Sequence, residues 1–131
     1  MKRDGCYGAC PVYDLEIDTD GSVRFQGMRY VRVRGKQTSS IPAVDVASLV
    51  AGFHSARFFD LPWKDPCDGG VIPDQATVTL TLVDKGRTRT LVDYLGDSCI
   101  PRSLRTLADE VDRVARTDAW TKCEPPEPSV S

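Results

Sequence analysis

The chain has 131 residues, of which 40% are hydrophobic and 27% charged, with a net charge of −2. That is the length of one domain and an ordinary folded composition, which excludes wholesale disorder. The near balance of charge lacks the footprint of a nucleic-acid binder, and no apolar run approaches the ~20 residues of a membrane-spanning helix.

Met1-Lys2-Arg3 makes a charged start with no apolar segment behind it, so no signal peptide is legible. Tyr13, Leu15 and Ile17 then alternate with Asp14, Glu16 and Asp18, a period of two that predicts a strand with one wet face. Asp18-Thr19-Asp20-Gly21 is turn chemistry, and Val23 and Phe25 mark the returning strand of a hairpin. Gly27 is expected to break that run. A third strand is expected over Met28 to Arg34, ended by Gly35. The basic residues Arg29, Arg32, Arg34 and Lys36 fall here and read as a solvated edge strand.

A first helix is expected after Ser39 or Ser40, serine being a good N-cap and Pro42 suiting the first turn. Val46, Leu49, Val50 and Phe53 recur at helical spacing, and the helix should fade near Arg57. Residues 62–75, with Pro62, Pro66, Gly69, Gly70 and Pro73, read as a long irregular loop. A second hairpin follows: Val78, Leu80 and Leu82 alternate with threonines, Asp84-Lys85-Gly86-Arg87 turns, and Thr88 to Leu95 returns. Asp97 or Ser98 can cap a second helix with Leu104, Leu107, Val111 and Val114 on one face. The order βββα-ββα predicts an α+β two-layer sandwich, an antiparallel sheet with two helices on one face. The domain is expected over residues 1–123, followed by a flexible Pro-rich tail over 124–131.

Five cysteines, Cys6, Cys10, Cys67, Cys99 and Cys123, are many for a cytosolic domain and favour an oxidising compartment. The most specific segment runs Arg3-x-x-Cys6-Tyr7-Gly8-Ala9-Cys10-Pro11-Val12-Tyr13, followed by the Asp20-Gly21 turn and Gly27. It resembles the bacterial family catalogued as domain of unknown function 6438. That family opens Arg-x-x-Cys-x-Gly-x-Cys-Pro-x-Tyr, with a strand, an Asp-Gly turn and a strand ending near Gly. The resemblance continues through Phe58-Phe59-Asp60-Leu61-Pro62, a Thr-rich strand, Tyr94-x-Gly96, Pro101 and Trp120. It implies an exported or lipid-anchored protein and no activity. The sequence departs from the pattern ahead of the motif: a family member carries a strand's worth of residues before the arginine, and here only Met1 and Lys2 precede Arg3.

Within the motif, Gly8 lets the backbone bend enough for a Cys6–Cys10 disulfide, a small loop that removes about 2 kcal/mol of chain entropy. Cys67 and Cys99 flank the second hairpin and form a second candidate pair, for which the same relation gives about 3.7 kcal/mol. The competing chemistry is thiol redox or Cu(I) binding on Cys6 and Cys10, with His54, the chain's one histidine, as a third ligand. Asp65, Asp68 and Asp74 lack EF-hand spacing, and a Ser-His-Asp set cannot be argued from one histidine. The reading is therefore a disulfide-stabilised, non-enzymatic binding or interaction module without cofactor, for an unknown protein or small-molecule ligand. Its expected place is the periplasm or cell envelope, with the cytoplasm as the alternative.

Overall fold

The computed structural model describes residues 1–5, 10–61, 75–94 and 102–121. Among these described residues, six strands and three helices follow in chain order: β1 (Lys2–Asp4), β2 (Val12–Ile17), β3 (Ser22–Arg29), β4 (Gly35–Ser40), α1 (Ala43–Ser55), β5 (Thr77–Asp84), β6 (Arg87–Tyr94), α2 (Arg102–Ala115) and α3 (Asp118–Thr121). The strands form one open sheet in the order β4-β3-β2-β1-β5-β6. Every neighbouring pair is antiparallel.

The α+β sandwich expected from the hairpins is present, with one addition. β1 is three residues long, yet it lies between β2 and β5, with Arg3 opposite Tyr13 on one side and Val78 on the other. The motif's own Arg3 thus lies within a strand of the sheet. Lys-Arg-Asp shows no hydrophobic alternation, so its place in the sheet comes from pairing on both edges rather than from its own pattern.

Two boundaries differ from expectation. Gly27 does not end β3; it stays in the ladder opposite Tyr13 and Gly35. The third strand of the first half is Gly35–Ser40 rather than Met28 to Arg34. β3 runs on to Arg29, which pairs with Val12 past a bulge in β3 at Met28, and Tyr30 then turns the chain at φ 54°. Ser39 and Ser40 consequently belong to β4, pairing with Val23 and Ser22, and are not helix caps. Pro42 takes the cap position of α1 without a side-chain bond. The N-cap of α2 falls outside the described residues.

Both long helices end alike. Beyond α1, Arg57 adopts φ 56°, Arg57 N donates to His54 O and Phe58 N donates back to Phe53 O at 3.0 Å. Beyond α2, Arg116 adopts φ 57°, Arg116 N donates to Arg113 O and Thr117 N to Asp112 O at 3.2 Å. These are Schellman closures with arginine where glycine is usual. The first is sealed by Phe53 against the fully buried Phe58, ring centroids 5.0 Å apart.

The core lies on one face of the sheet. Tyr13, Leu15, Val23, Phe25, Val78, Leu80, Leu82 and Leu91 point into it. Leu49 and Phe53 of α1 and Leu104, Leu107, Ala108 and Val111 of α2 meet them there. Phe25 is sandwiched between Tyr13 at 5.3 Å and Trp120 at 4.9 Å. Alternate strand residues such as Glu16, Arg24, Gln26 and Thr81 are exposed on the opposite face. The period-two reading therefore assigned the sides correctly.

Candidate functional site

The two ends of the cysteine motif meet at one carboxylate. Because Arg3 and Tyr13 are cross-strand partners, their side chains leave the sheet on the same face, towards α2. Arg3 Nε and Nη2 both donate to Asp112 Oδ2, at 2.9 and 2.6 Å. The Tyr13 hydroxyl donates to Asp112 Oδ1 at 2.6 Å, and the Thr117 hydroxyl donates to the same oxygen at 2.7 Å. Arg3 also reaches Asp109 at 3.4 Å. The Arg3–Asp112 pair is about four-fifths shielded on both sides, the side chains being 20% and 21% exposed.

The electrostatics follow from that shielding. Burial pushes the Tyr13 phenol up, and the neighbouring Asp112 charge and hydrogen bond push it further. Burial alone would lower the Arg3 guanidinium, but Asp112 and Tyr13 outweigh it and raise it. The cluster is thus a neutral tyrosine and an ion pair, mutually satisfied.

Sequence reasoning singled out Arg3 and Tyr13 but not Asp112 or Thr117. A signal was there: Asp112 follows Val111 and lies four residues after Ala108, so it interrupts the apolar stripe of α2. An acid in such a place needs a partner.

Beside this cluster, a cavity of about 650 Å³ opens between Tyr13, Asp112 and the α2–α3 corner at Arg116, Thr117 and Thr121. A second, of about 300 Å³, lies between the end of β4 and the same corner, lined by Ser39, Ile41, Val114, Arg116 and Trp120 among others. Arg116 borders both. Its guanidinium has no hydrogen-bond or ion-pair partner among the described residues.

The remaining candidates are placed as follows. Pro11 is exposed just ahead of β2, and Cys10 beside it is half-buried with its sulfur engaged rather than free. Cys6, Gly8, Cys67 and Cys99 lie outside the described residues, as do Asp65, Asp68 and Asp74. His54 is exposed on α1, its Nε2 2.7 Å from Asp84 Oδ2 and its ring 5.9 Å from Phe59. The fold does not bring His54 to Cys10. Cys10 enters the sheet at the end where Asp4 pairs with Thr77. Asp84 is at the other end of β5, roughly 23 Å away at ~3.3 Å per residue. Among the described residues, no group of three or more His, Cys, Asp or Glu side chains converges as a metal site would require.

A family model described as Domain of unknown function (DUF6438) matches residues 1–115. The chain belongs to this family. The match takes in the whole sheet, α1 and α2, so the Arg3–Tyr13–Asp112 cluster falls within the DUF6438 region. No curated protein and no solved structure matches the chain. No helix among the described residues is long and apolar enough to cross a membrane.

Proposed function

We propose that this DUF6438 chain is a disulfide-stabilised, extracytoplasmic binding or interaction module that performs no chemistry of its own. The observation that carries the reading is how the motif's polar side chains are used. Arg3 and Tyr13 are consumed in holding Asp112 and α2, a structural duty, while the recesses beside them converge on an uncommitted arginine. A general base or nucleophile needs a free lone pair next to a place where substrate can sit. Asp112 instead accepts four hydrogen bonds from its own chain. The cysteine content and the engaged sulfur of Cys10 support the disulfide part of the reading.

The test is intact mass of purified protein alkylated with and without reductant, followed by mapping of the linkages. Cys6–Cys10 and Cys67–Cys99 bridges that resist mild reductant are expected. Free Cys6 and Cys10 that take up Cu(I) stoichiometrically, with uptake lost on Cys6→Ser, would overturn the reading in favour of thiol or copper chemistry.

A further inference from the structure

Among the described residues, β4 is the last strand of the sheet on its side, so one row of its backbone N–H and C=O groups faces away from β3. Such an edge is a template for a further strand unless something blunts it. β4 is barely blunted: its six residues pair with β3 in unbroken register, with no bulge and no proline. Its side chains are short and polar apart from Lys36.

The ground next to this edge is not uniform. On the helix side, the smaller cavity begins at Ser39 and is walled by Ile41, Val114 and Trp120, room for one apolar side chain. Arg116 stands on its rim. On the wet face, Lys36 lies in the ladder opposite the exposed Gln26, and Arg34 precedes it. Arg34, Lys36 and Arg116 have no ion-pair partner among the described residues. Asp45 also lines the cavity, so the basic rim supplied by Arg116 faces one carboxylate of its own chain there.

We propose that the edge of β4 and the adjoining Ile41–Val114–Trp120 recess receive an extended acidic peptide segment of a partner protein, added to the sheet as a further strand. The inference rests on the binding-module reading and names the partner's chemistry. Strand addition draws affinity from main-chain hydrogen bonds and specificity from pockets for alternate side chains. Register fixes what the peptide must carry. A residue across from Ser39 faces the recess, because Ser39 pairs with buried Val23. A residue across from Lys36 faces the wet side. Residues directly across a ladder share a face, so the apolar and acidic positions of the peptide are three apart. A second carboxylate two residues from the apolar one shares its face and meets Arg116 on the rim of the recess.

The experiment is panning of a random octapeptide phage library on the immobilised full chain. Enriched peptides are then titrated against the wild type and against Lys36→Glu, Arg116→Glu and Arg116→Gly. The expected result is enrichment of peptides with an apolar and an acidic residue three positions apart. Their binding should weaken at least tenfold in both glutamate variants and decline with added salt. Arg116→Gly relieves a positive φ, so its melting temperature should match or exceed the wild type's while peptide affinity falls, which separates recognition from folding. Three outcomes overturn the proposal: no enrichment, enrichment without acidic bias, or binding indifferent to Lys36 and Arg116. The last leaves the module reading standing with its site elsewhere. Failure of the disulfide mapping strikes that broader reading without altering the panning result.

Discussion

The two hairpins of this sheet are written alike and built in differently. Each has alternating strands and a tight turn closed by glycine at positive φ, Gly21 at 96° and Gly86 at 78°. The turn of β5–β6 stands clear: a Cβ on Gly86 would meet nothing within 4 Å. That of β2–β3 is pressed into the joint between β4 and α1. A Cβ on Gly21 would lie 2.0 Å from the Ile41 carbonyl oxygen, and Ile41 N donates to Gly21 O at 2.9 Å. The second hairpin is secured from its strands instead. Arg89 donates to the carbonyls of Phe58 and Leu61, at 3.1 and 2.6 Å, and Arg87 lies 4.1 Å from the centre of the Phe59 ring. Equal turn chemistry therefore does not mean equal tolerance; what packs behind the turn decides it.

Substitution should expose the contrast, most strongly at Gly21. Gly21→Ala combines a left-handed backbone with a hard contact against a carbonyl and should cost more than about 3 kcal/mol in chemical denaturation. Next comes the point where the first hairpin is tied to α2. Asp112→Ala strands the Arg3 charge and two hydroxyls at a partly buried site, and a loss of about 2–3 kcal/mol is expected in the same assay. An unchanged midpoint would show that the cluster is not a tie at all.

Tyr13→Phe removes one hydrogen bond from that tie, about 1 kcal/mol, and changes the response to alkali. The folded phenol is held above its ordinary value of about 10, so the unfolded chain releases that proton first. The folded state then carries more protons than the unfolded state, and stability must fall as pH rises past about 10. Melting curves across pH 9 to 11.5 should show a decline in the wild type that is smaller in Tyr13→Phe. Gly86→Ala should cost only about 1 kcal/mol, the left-handed backbone alone. Arg24→Ala is expected to be the smallest. Arg24 clamps Glu16 and Asp18 on the open face of the first hairpin, the Glu16 contact at 2.6 Å, but with all three side chains about half exposed or more, where water screens the pairs. A melting temperature indistinguishable from the wild type's is expected there.

The legible parts of the fold were those with a period. β2, β3, β5, β6 and the apolar stripes of both long helices follow from alternation or helical spacing, because burial on one face imposes it. β1 and β4 have no such signature. Lys-Arg-Asp and Gly-Lys-Gln-Thr-Ser-Ser are polar throughout; they are strands because neighbouring edges needed pairing, which no local pattern encodes. The site divides the same way. Arg3 and Tyr13 stood out through the motif, and their ten-residue separation hides that they are cross-strand neighbours. Asp112, 109 residues from Arg3, could be joined to them only by the fold. His54 is the chain's one histidine, which is why the sequence offers it as a third ligand, and the length of β5 keeps it from Cys10.

The three residues of β1 have a practical consequence. Each hairpin can close within a few residues of itself, but among the described residues the two halves of the sheet are joined through Lys2, Arg3 and Asp4, which lie between β2 and β5, strands far apart along the chain. Those few residues act as a keystone: β2 can pair with them early, but the second edge is filled only by the fifth strand, 60 and more residues later. Whatever is attached ahead of Lys2 leaves from mid-sheet rather than from a rim. A tether anchored there would pull on the strand that joins the two halves. Immobilisation through the other end of the chain would spare it.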